Sequence, residues 1–340
     1  MVTKRGSGQP PAQSSPRAEK RRGLVLGAGG VLGAAWTIGA LCALEETEGF
    51  DVQTCDVIIG TSAGSVLASL LAAGVRPGDL RDDLLGLPVA DGPLAGYSYD
   101  HERGTGGALP SRPRPGLGST RLLLHSVRHP LSVTPMAALS SLLPTGRGSL
   151  WSVRNLIEAV TPPGDWSPHP ELWIVAMDYD SGRRVAFGRE GAPPAALADA
   201  VVASCSIPAW YAPVKIGGRR YIDGGTCSAT SVDLLATRGL DEVYVLAPMA
   251  SVEYDDPTSV AGKVERGFRR TVTRRMVREA GKVRSTGTQV TMIGPGRDDL
   301  EAIGANMMDP ARRQRVLETS LRTSAEALRR SRDDELSWSA

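Results

Sequence analysis

Two short apolar runs, each delivered into a glycine-bearing turn and then a helix, restrict this chain more than any other feature. Gly23-Leu24-Val25-Leu26 runs into Gly27-Ala28-Gly29-Gly30-Val31-Leu32-Gly33, and residues 34–48 follow as a helix with Trp36, Ala40, Leu41 and Leu44 on one face. Residues 56–60 (DVIIG) run into Thr61-Ser62-Ala63-Gly64, and residues 65–74, rich in Leu and Ala, follow as a second helix. Apolar runs without alternation are buried on both faces. Parallel neighbours need a crossover, which a helix supplies. The order strand–helix–strand–helix therefore predicts an α/β fold: a parallel sheet with helices on its faces.

The rest of the chain extends this pattern. Residues 172–178 (LWIVAMD) and 183–187 (RRVAF) read as two strands joined at Asp180-Ser181-Gly182. A helix is predicted over 194–203, a buried strand over 241–247, a basic helix over 260–284 and a strand over 289–293. A closing helix over 310–331 turns Leu317, Leu321 and Leu328 inward. Residues 91–119, dense in Gly, Pro, Ser and Arg, read as a flexible insertion. Residues 120–144 are apolar but broken by Pro130 and Pro135, which predicts short helices. One domain over 23–331 is expected, with 260–331 a helical extension carrying one strand, a disordered basic tail over 1–22 and a second tail over 332–340.

Composition narrows the partners. Lys plus Arg is 39 against 37 Asp plus Glu, and aromatics are 5% of residues, which argues against a nucleic-acid module. Cys42, Cys55, Cys205 and Cys227 lack the spacing of a zinc site or a disulfide framework, and suit a reducing compartment. Residues 1–22 lack the apolar core of a secretory signal, and no run of 18 apolar residues occurs, so a cytoplasmic location is expected.

Gly60-Thr61-Ser62-Ala63-Gly64 is a GxSxG sequence between a strand and a helix, the setting of a nucleophile elbow. Ser62 is the candidate nucleophile; a helix N-cap is the plainer reading, and Ser65 suits that role too. The turn at 27–33 reads two ways. A dinucleotide-binding turn would be spaced GxGxxG and be followed by an acid ending the next strand; here Gly27, Gly29 and Gly33 give GxGxxxG, and the next strand ends in Gly60. As an oxyanion hole, the turn would offer the N–H groups of Gly29, Gly30 and Val31, with Ala63 adding another from the elbow.

A serine nucleophile needs a base. The four histidines are His101, His125, His129 and His169, and none follows residue 169. His101 sits in the insertion, His125 and His129 in the proline-broken segment, and His169 between two prolines. Asp223, before Gly224 and Gly225, is the carboxylate alternative, although Asp-Gly-Gly is equally a hairpin turn.

Taken together these blocks resemble the patatin-like phospholipases, serine acyl hydrolases with a Ser–Asp dyad. Three blocks match in order over about residues 22–250: the glycine turn Gly27–Gly33, the elbow Gly60–Gly64, and Ala203-Ser204-Cys205-Ser206-Ile207-Pro208 through Pro213 to Asp223-Gly224-Gly225. The resemblance implies a three-layer sandwich around a mostly parallel sheet, with Ser62 as nucleophile and Asp223 as base. It further implies a lipid or phospholipid ester substrate and no metal or organic cofactor. One departure stands out: the family's oxyanion motif is usually Gly-Gly-Gly-x-Arg/Lys-Gly, and here Ala28 and Leu32 replace a glycine and the basic residue. Leu32 raises the alternative of a catalytically weak lipid-binding or regulatory member; a dinucleotide-binding enzyme is the more distant alternative.

An acyl chain needs an apolar trough. Residues 122–143 are expected either to cover it as a lid or to pack as ordinary core helices. Residues 263–284 carry nine Lys or Arg and two Glu, with Val264, Phe268, Val272 and Met276 every four residues. Such a helix either lies on an anionic membrane, which would place the protein peripherally on the inner membrane face, or packs on the core with its charges solvated.

Overall fold

A computed structural model describes residues 20–105, 112–130, 132–251 and 260–338 of the 340-residue chain. The tail expected before residue 20, the middle of the 91–119 insertion and the last two residues lie outside these. One mixed sheet organises the chain, in the hydrogen-bonded order β5 (Val214–Ile216), β6 (Arg219–Asp223), β3 (Leu172–Asp178), β2 (Val57–Thr61), β1 (Arg22–Leu26), β7 (Glu242–Leu246) and β8 (Gln289–Ile293). β4 (Arg184–Phe187) pairs with β3 as expected. Neighbours from β3 through β2, β1 and β7 to β8 are parallel, and the β4, β5 and β6 pairings are antiparallel.

Side chains alternate between the two faces with the period of a strand. Leu24, Leu26, Ile58, Ile174 and Leu246 enter one core, and Val25, Ile59, Trp173, Val243 and Val245 the other. On the first face lie α1 (Gly30–Glu48), α2 (Ala63–Ala72), α6 (Trp151–Val160) and α7 (Leu197–Ser204). On the second lie α8 (Val260–Arg284) and the 3₁₀ turn at Val232–Thr237. The result is an α/β sandwich of three layers, which explains why both strand–turn–helix units lack a polar face.

α1 begins at Gly30, four residues before the expected start, and is buried almost all round. A helix apolar on every side must be covered on every side. The outer cover is α10 (Arg313–Trp338), with Val316, Leu317 and Leu328 buried and Ser320 Oγ donating to the Trp36 carbonyl at 2.6 Å. The expected basic tail gives way to the sheet at its end, where Lys20 and Arg22 both pair with Glu242.

α8 departs from an amphipathic helix lying free on a surface. Its inner face carries buried Met276, Ala280 and Val283 and two buried cations, Arg266 and Arg269, while Phe268 from the expected apolar stripe stands 39% exposed. Arg269 donates to the Pro248 carbonyl at 2.6 Å and pairs with Glu265, so part of the charge is structural. Elements the sequence reading left out are α3 (Pro77–Leu84), α6, α9 (Arg297–Ile303) and the hairpin β5–β6.

Candidate active site

Ser62 and Asp223, 161 residues apart, meet because of one strand. Over Ile174 and Val175, β3 pairs with both β2 and β4; over Ala176 and Met177 it pairs with both β4 and β6. β2 and β6 therefore share one edge of β3, end to end. Thr61 stands opposite Val175 and Asp223 opposite the next residue, Ala176. The residue leaving β2 and the residue ending β6 are thus neighbours. Ser62 Oγ donates to Asp223 Oδ2 at 2.6 Å.

Ser62 adopts φ 54° and ψ −127°, a region unfavourable for a side chain with a Cβ. Strain of this kind costs on the order of 1–3 kcal/mol and persists only where neighbours over-determine it. Here its carbonyl accepts from Ser65 N–H (2.7 Å) and Ser65 Oγ (2.6 Å). Its N–H donates to Ser204 Oγ at 2.8 Å, and that hydroxyl donates to the Val175 carbonyl at 2.6 Å. Ser65, the expected cap, therefore braces the elbow. Gly60, the last residue but one of β2, leaves room for the Ser65 backbone, and Gly64 lets the helix approach β1: a Cβ at Gly64 would stand 2.2 Å from the Leu26 carbonyl oxygen. Because that oxygen belongs to a central strand, Gly64→Ala should destabilise the protein by about 1–3 kcal/mol or more. A urea unfolding midpoint checks this, and an unchanged midpoint would mean the elbow is loosely packed.

Asp223 is buried and caps the 3₁₀ turn Gly224–Thr226, with Gly225 N–H donating to its Oδ1 at 2.7 Å. The expected hairpin alternative falls elsewhere: the turn between β5 and β6 is at Gly217-Gly218, and Asp223 ends the second strand. Burial pushes the Asp223 carboxyl up to about 6, with the Ser62 and Gly225 hydrogen bonds pulling the other way.

The glycine turn lies against the same point. Gly27 N–H is held by the Leu246 carbonyl, Gly33 N–H by Gly29 and Leu32 N–H by Met307. The N–H groups of Gly29, Gly30, Val31 and Ala63 have no acceptor among the described residues. α1 and α2 start at Gly30 and Ala63, so both helices aim their positive ends here. Gly30 takes φ +59°, and Met307 and Met308, in the loop before α10, close over it. These methionines were not singled out by the sequence; nothing in their local pattern ties them to a turn nearly three hundred residues earlier. Leu32, at the position where the resemblance expects a basic residue, is fully buried in the core. It does not line the cleft described below.

Ser62 opens into an apolar cleft of about 970 Å³ of empty space, part of it open to solvent. Gly30, Val31 and Ala63 line it near the serine, and Leu67, Leu80 and Val153 line it beyond. None of the described residues of 120–144 lines it; the walls come from α1, α2, α3 and α6, joined by Leu94, Tyr99 and His101 of the 91–119 insertion and by Ile207, Tyr211 and Met308. α4 (Thr120–Arg128), α5 (Pro135–Leu142) and the link between them instead turn Leu122, Ala137 and Val133 onto Met177, Tyr179 and Ile222. Cys205 also lines the cleft, but burial pushes its thiol up to about 12, so it offers no thiolate. None of the four histidines is bonded to Ser62 or Asp223: His169 is tied to the Cys55 carbonyl, His101 to Asp83, and His125 and His129 stack on each other.

The family description "Patatin-like phospholipase" matches residues 24–236. The chain belongs to the patatin-like phospholipase family. As a family member it is a hydrolase of lipid esters. No curated protein matches the chain. Among solved structures, the crystal structure of VipD from Legionella pneumophila is similar to it with a TM-score of 0.41 and 14% identity, over 91% of this chain and 67% of that one. The patatin-like match ends before β7 and β8, although these two strands complete the sheet. No helix among the described residues is long and apolar enough to cross a membrane.

Proposed function

We propose that this patatin-like chain cleaves carboxylic esters of lipids, of phospholipase A, lysophospholipase or esterase type, through an acyl-Ser62 intermediate. The observation that carries the reading is the 2.6 Å hydrogen bond to a buried carboxylate from the Oγ of Ser62, a residue that lines an apolar cleft. Asp223 takes the Ser62 proton as Oγ attacks the ester carbonyl carbon. The N–H groups of Gly29, Gly30, Val31 and Ala63 receive the oxyanion, aided by two helix N-termini. Collapse of the tetrahedral species expels the alcohol, which takes the proton from Asp223. Water, deprotonated by Asp223, then attacks the acyl-enzyme, and the fatty acid leaves as Ser62 regains its proton. Apolar walls accept the acyl chain and exclude water from it.

Two alternatives are less well supported. A dinucleotide enzyme would need an acid at the end of β2, where Gly60 and Thr61 stand. A catalytically weak regulator was suggested by Leu32, which lies in the core. Peripheral contact through 263–284 rests mainly on charge: Lys263, Arg274, Arg278 and Lys282 face solvent beside exposed Phe268 and Val277, whereas Met276 and Val283 are committed to the core. A fluorophosphonate probe tests the central reading. Stoichiometric labelling of the wild type, located at Ser62 by peptide mass, is expected. An unlabelled protein, or labelling that survives Ser62→Ala, would overturn it.

A further inference from the structure

Residues 117–151 hold most of the large hydrophobic side chains that stand in solvent: among the described residues only Leu87, Phe268 and Val277 are comparable outside this stretch. Val127 is 73% exposed, Trp151 67%, Leu124 56% and Leu139 50%, with Met136 and Leu142 beside them. Monomeric surfaces seldom concentrate apolar side chains in this way unless something covers them. The two helices are amphipathic, but the inner face is satisfied: Leu122, Val133 and Ala137 already fill the small core over Met177 and Ile222. The outer face is therefore surplus to folding.

Charge identifies the cover. No Asp or Glu occurs between Glu102 and Glu158, whereas Arg103, Arg112, Arg114, Arg121, Arg128, Arg147 and Arg154 all do. Arg121 and Arg128 lie on α4 itself, and Arg121 is largely exposed although it stands 3.7 Å from Asp180. An apolar face rimmed by cations and free of its own acids matches an anionic lipid surface: the side chains enter the acyl boundary while arginines meet phosphates. A protein partner would more often be met by both signs of charge.

The segment is anchored at two points near the active site. Thr134 Oγ1, capping α5, donates to the carbonyl of Thr226, three residues beyond Asp223. At the second point Gly148 N–H donates to the Trp210 carbonyl, and Trp151 opens α6, whose Val153 and Leu156 line the cleft. The chain thus runs from the exposed apolar segment directly into a wall of the cleft through residues 148–153.

We infer that the outer face of α4 and α5, with Trp151, docks this protein onto anionic phospholipid bilayers and sets the cleft beside the lipid phase. The inference rests on the lipid-ester reading for its purpose and on exposure and charge for its geometry. The test uses the full chain carrying Ser62→Ala, so that vesicles stay intact, and flotation with phosphatidylglycerol–phosphatidylcholine vesicles. Val127→Asp with Leu139→Asp, both exposed substitutions, should weaken partition at least tenfold, while Arg274→Glu with Arg278→Glu on α8 changes it less than threefold. Binding should fall with the phosphatidylglycerol fraction. In the Ser62 background, the double aspartate variant should hydrolyse a soluble short-chain p-nitrophenyl ester as the wild type does, which also reports that it folds.

Equal partition of the aspartate variant overturns the inference, as does absence of vesicle binding. Loss of binding only in the α8 variant overturns it in favour of the basic helix. A wild-type dimer that the aspartate pair converts to monomer overturns it in favour of a second copy. Vesicle binding by a wild type that hydrolyses no ester would leave docking standing and remove the catalytic reading. The reverse pattern would do the opposite.

Discussion

Ser62→Ala should lower kcat for p-nitrophenyl ester hydrolysis by about 10⁴-fold or more, the scale on which loss of a nucleophile is felt when the rest of the site survives. The substitution removes one oxygen and leaves the elbow standing. Ser65 and Ser204 hold the backbone of residue 62 through its carbonyl and N–H, so its geometry does not depend on the side chain. What remains are the N–H groups around Gly30 and the cleft, which can bind an ester and polarise it for water. A residual rate above bulk hydrolysis is therefore expected, with no acyl-enzyme burst. Steady-state and burst kinetics on the purified variant check it. Activity within tenfold of wild type would mean that another group performs the attack.

Asp223→Asn should cost about 10²–10⁴-fold, the usual contribution of a general base, and should abolish the acidic limb of the pH profile. In the wild type, kcat/KM is expected to rise through pH 6 to a plateau, because the carboxyl is pushed up to about 6 and acts only when ionised. Stability follows the opposite sign. The native state holds this proton to a higher pH than the unfolded chain, whose carboxyl titrates near its ordinary 3.8. The native form therefore binds more protons between these two values, and stability is lost as pH rises through that window. The loss is complete above the folded value. It amounts to roughly 3 kcal/mol, taken at 1.36 kcal/mol per unit of displacement. The asparagine variant carries no such charge, so its Tm at pH 8 should exceed that of the wild type, and the difference should shrink toward pH 4. A profile that is flat through pH 6, or a variant less stable at both pH values, would remove Asp223 from the role.

The strand–turn–helix units were legible because each is local. Leu24-Val25-Leu26 and Val57–Thr61 have no polar face to hide, and glycine stands wherever backbone must approach backbone, as Gly64 does to Leu26. The pairing of Ser62 with Asp223 could be reached only through the resemblance. Its physical cause is the shared edge of β3, a register that no local pattern encodes. The lining of the cleft is not legible in the sequence for a related reason, and of the two readings of 122–143 the inner side chains take the core-packed one. Residues 122–143 are apolar, but hydrophobicity does not say which side faces a cavity, a core or solvent. α3, which does line the cleft, has a largely charged sequence (PGDLRDDL) and offers only Leu80 and Leu84 as signal. The hairpin β5–β6 is short and carries Lys215, Arg219 and Arg220 in its first strand and at the start of its second, so it lacks the apolar run of the central strands.

The family-matched stretch of this chain is not a finished module. β7 and β8 follow it, yet β7 is the strand against which β1 is laid, and α10 is the far wall of α1. Met307 and Met308 come from the same late stretch and sit on Gly30. A recombination event that exchanged everything after residue 236 would therefore exchange the ceiling over the glycine turn along with the scaffold beneath it. Substitutions in the last hundred residues stand to retune turnover without approaching the serine in sequence, and lineages of such chains would be expected to inherit both parts together.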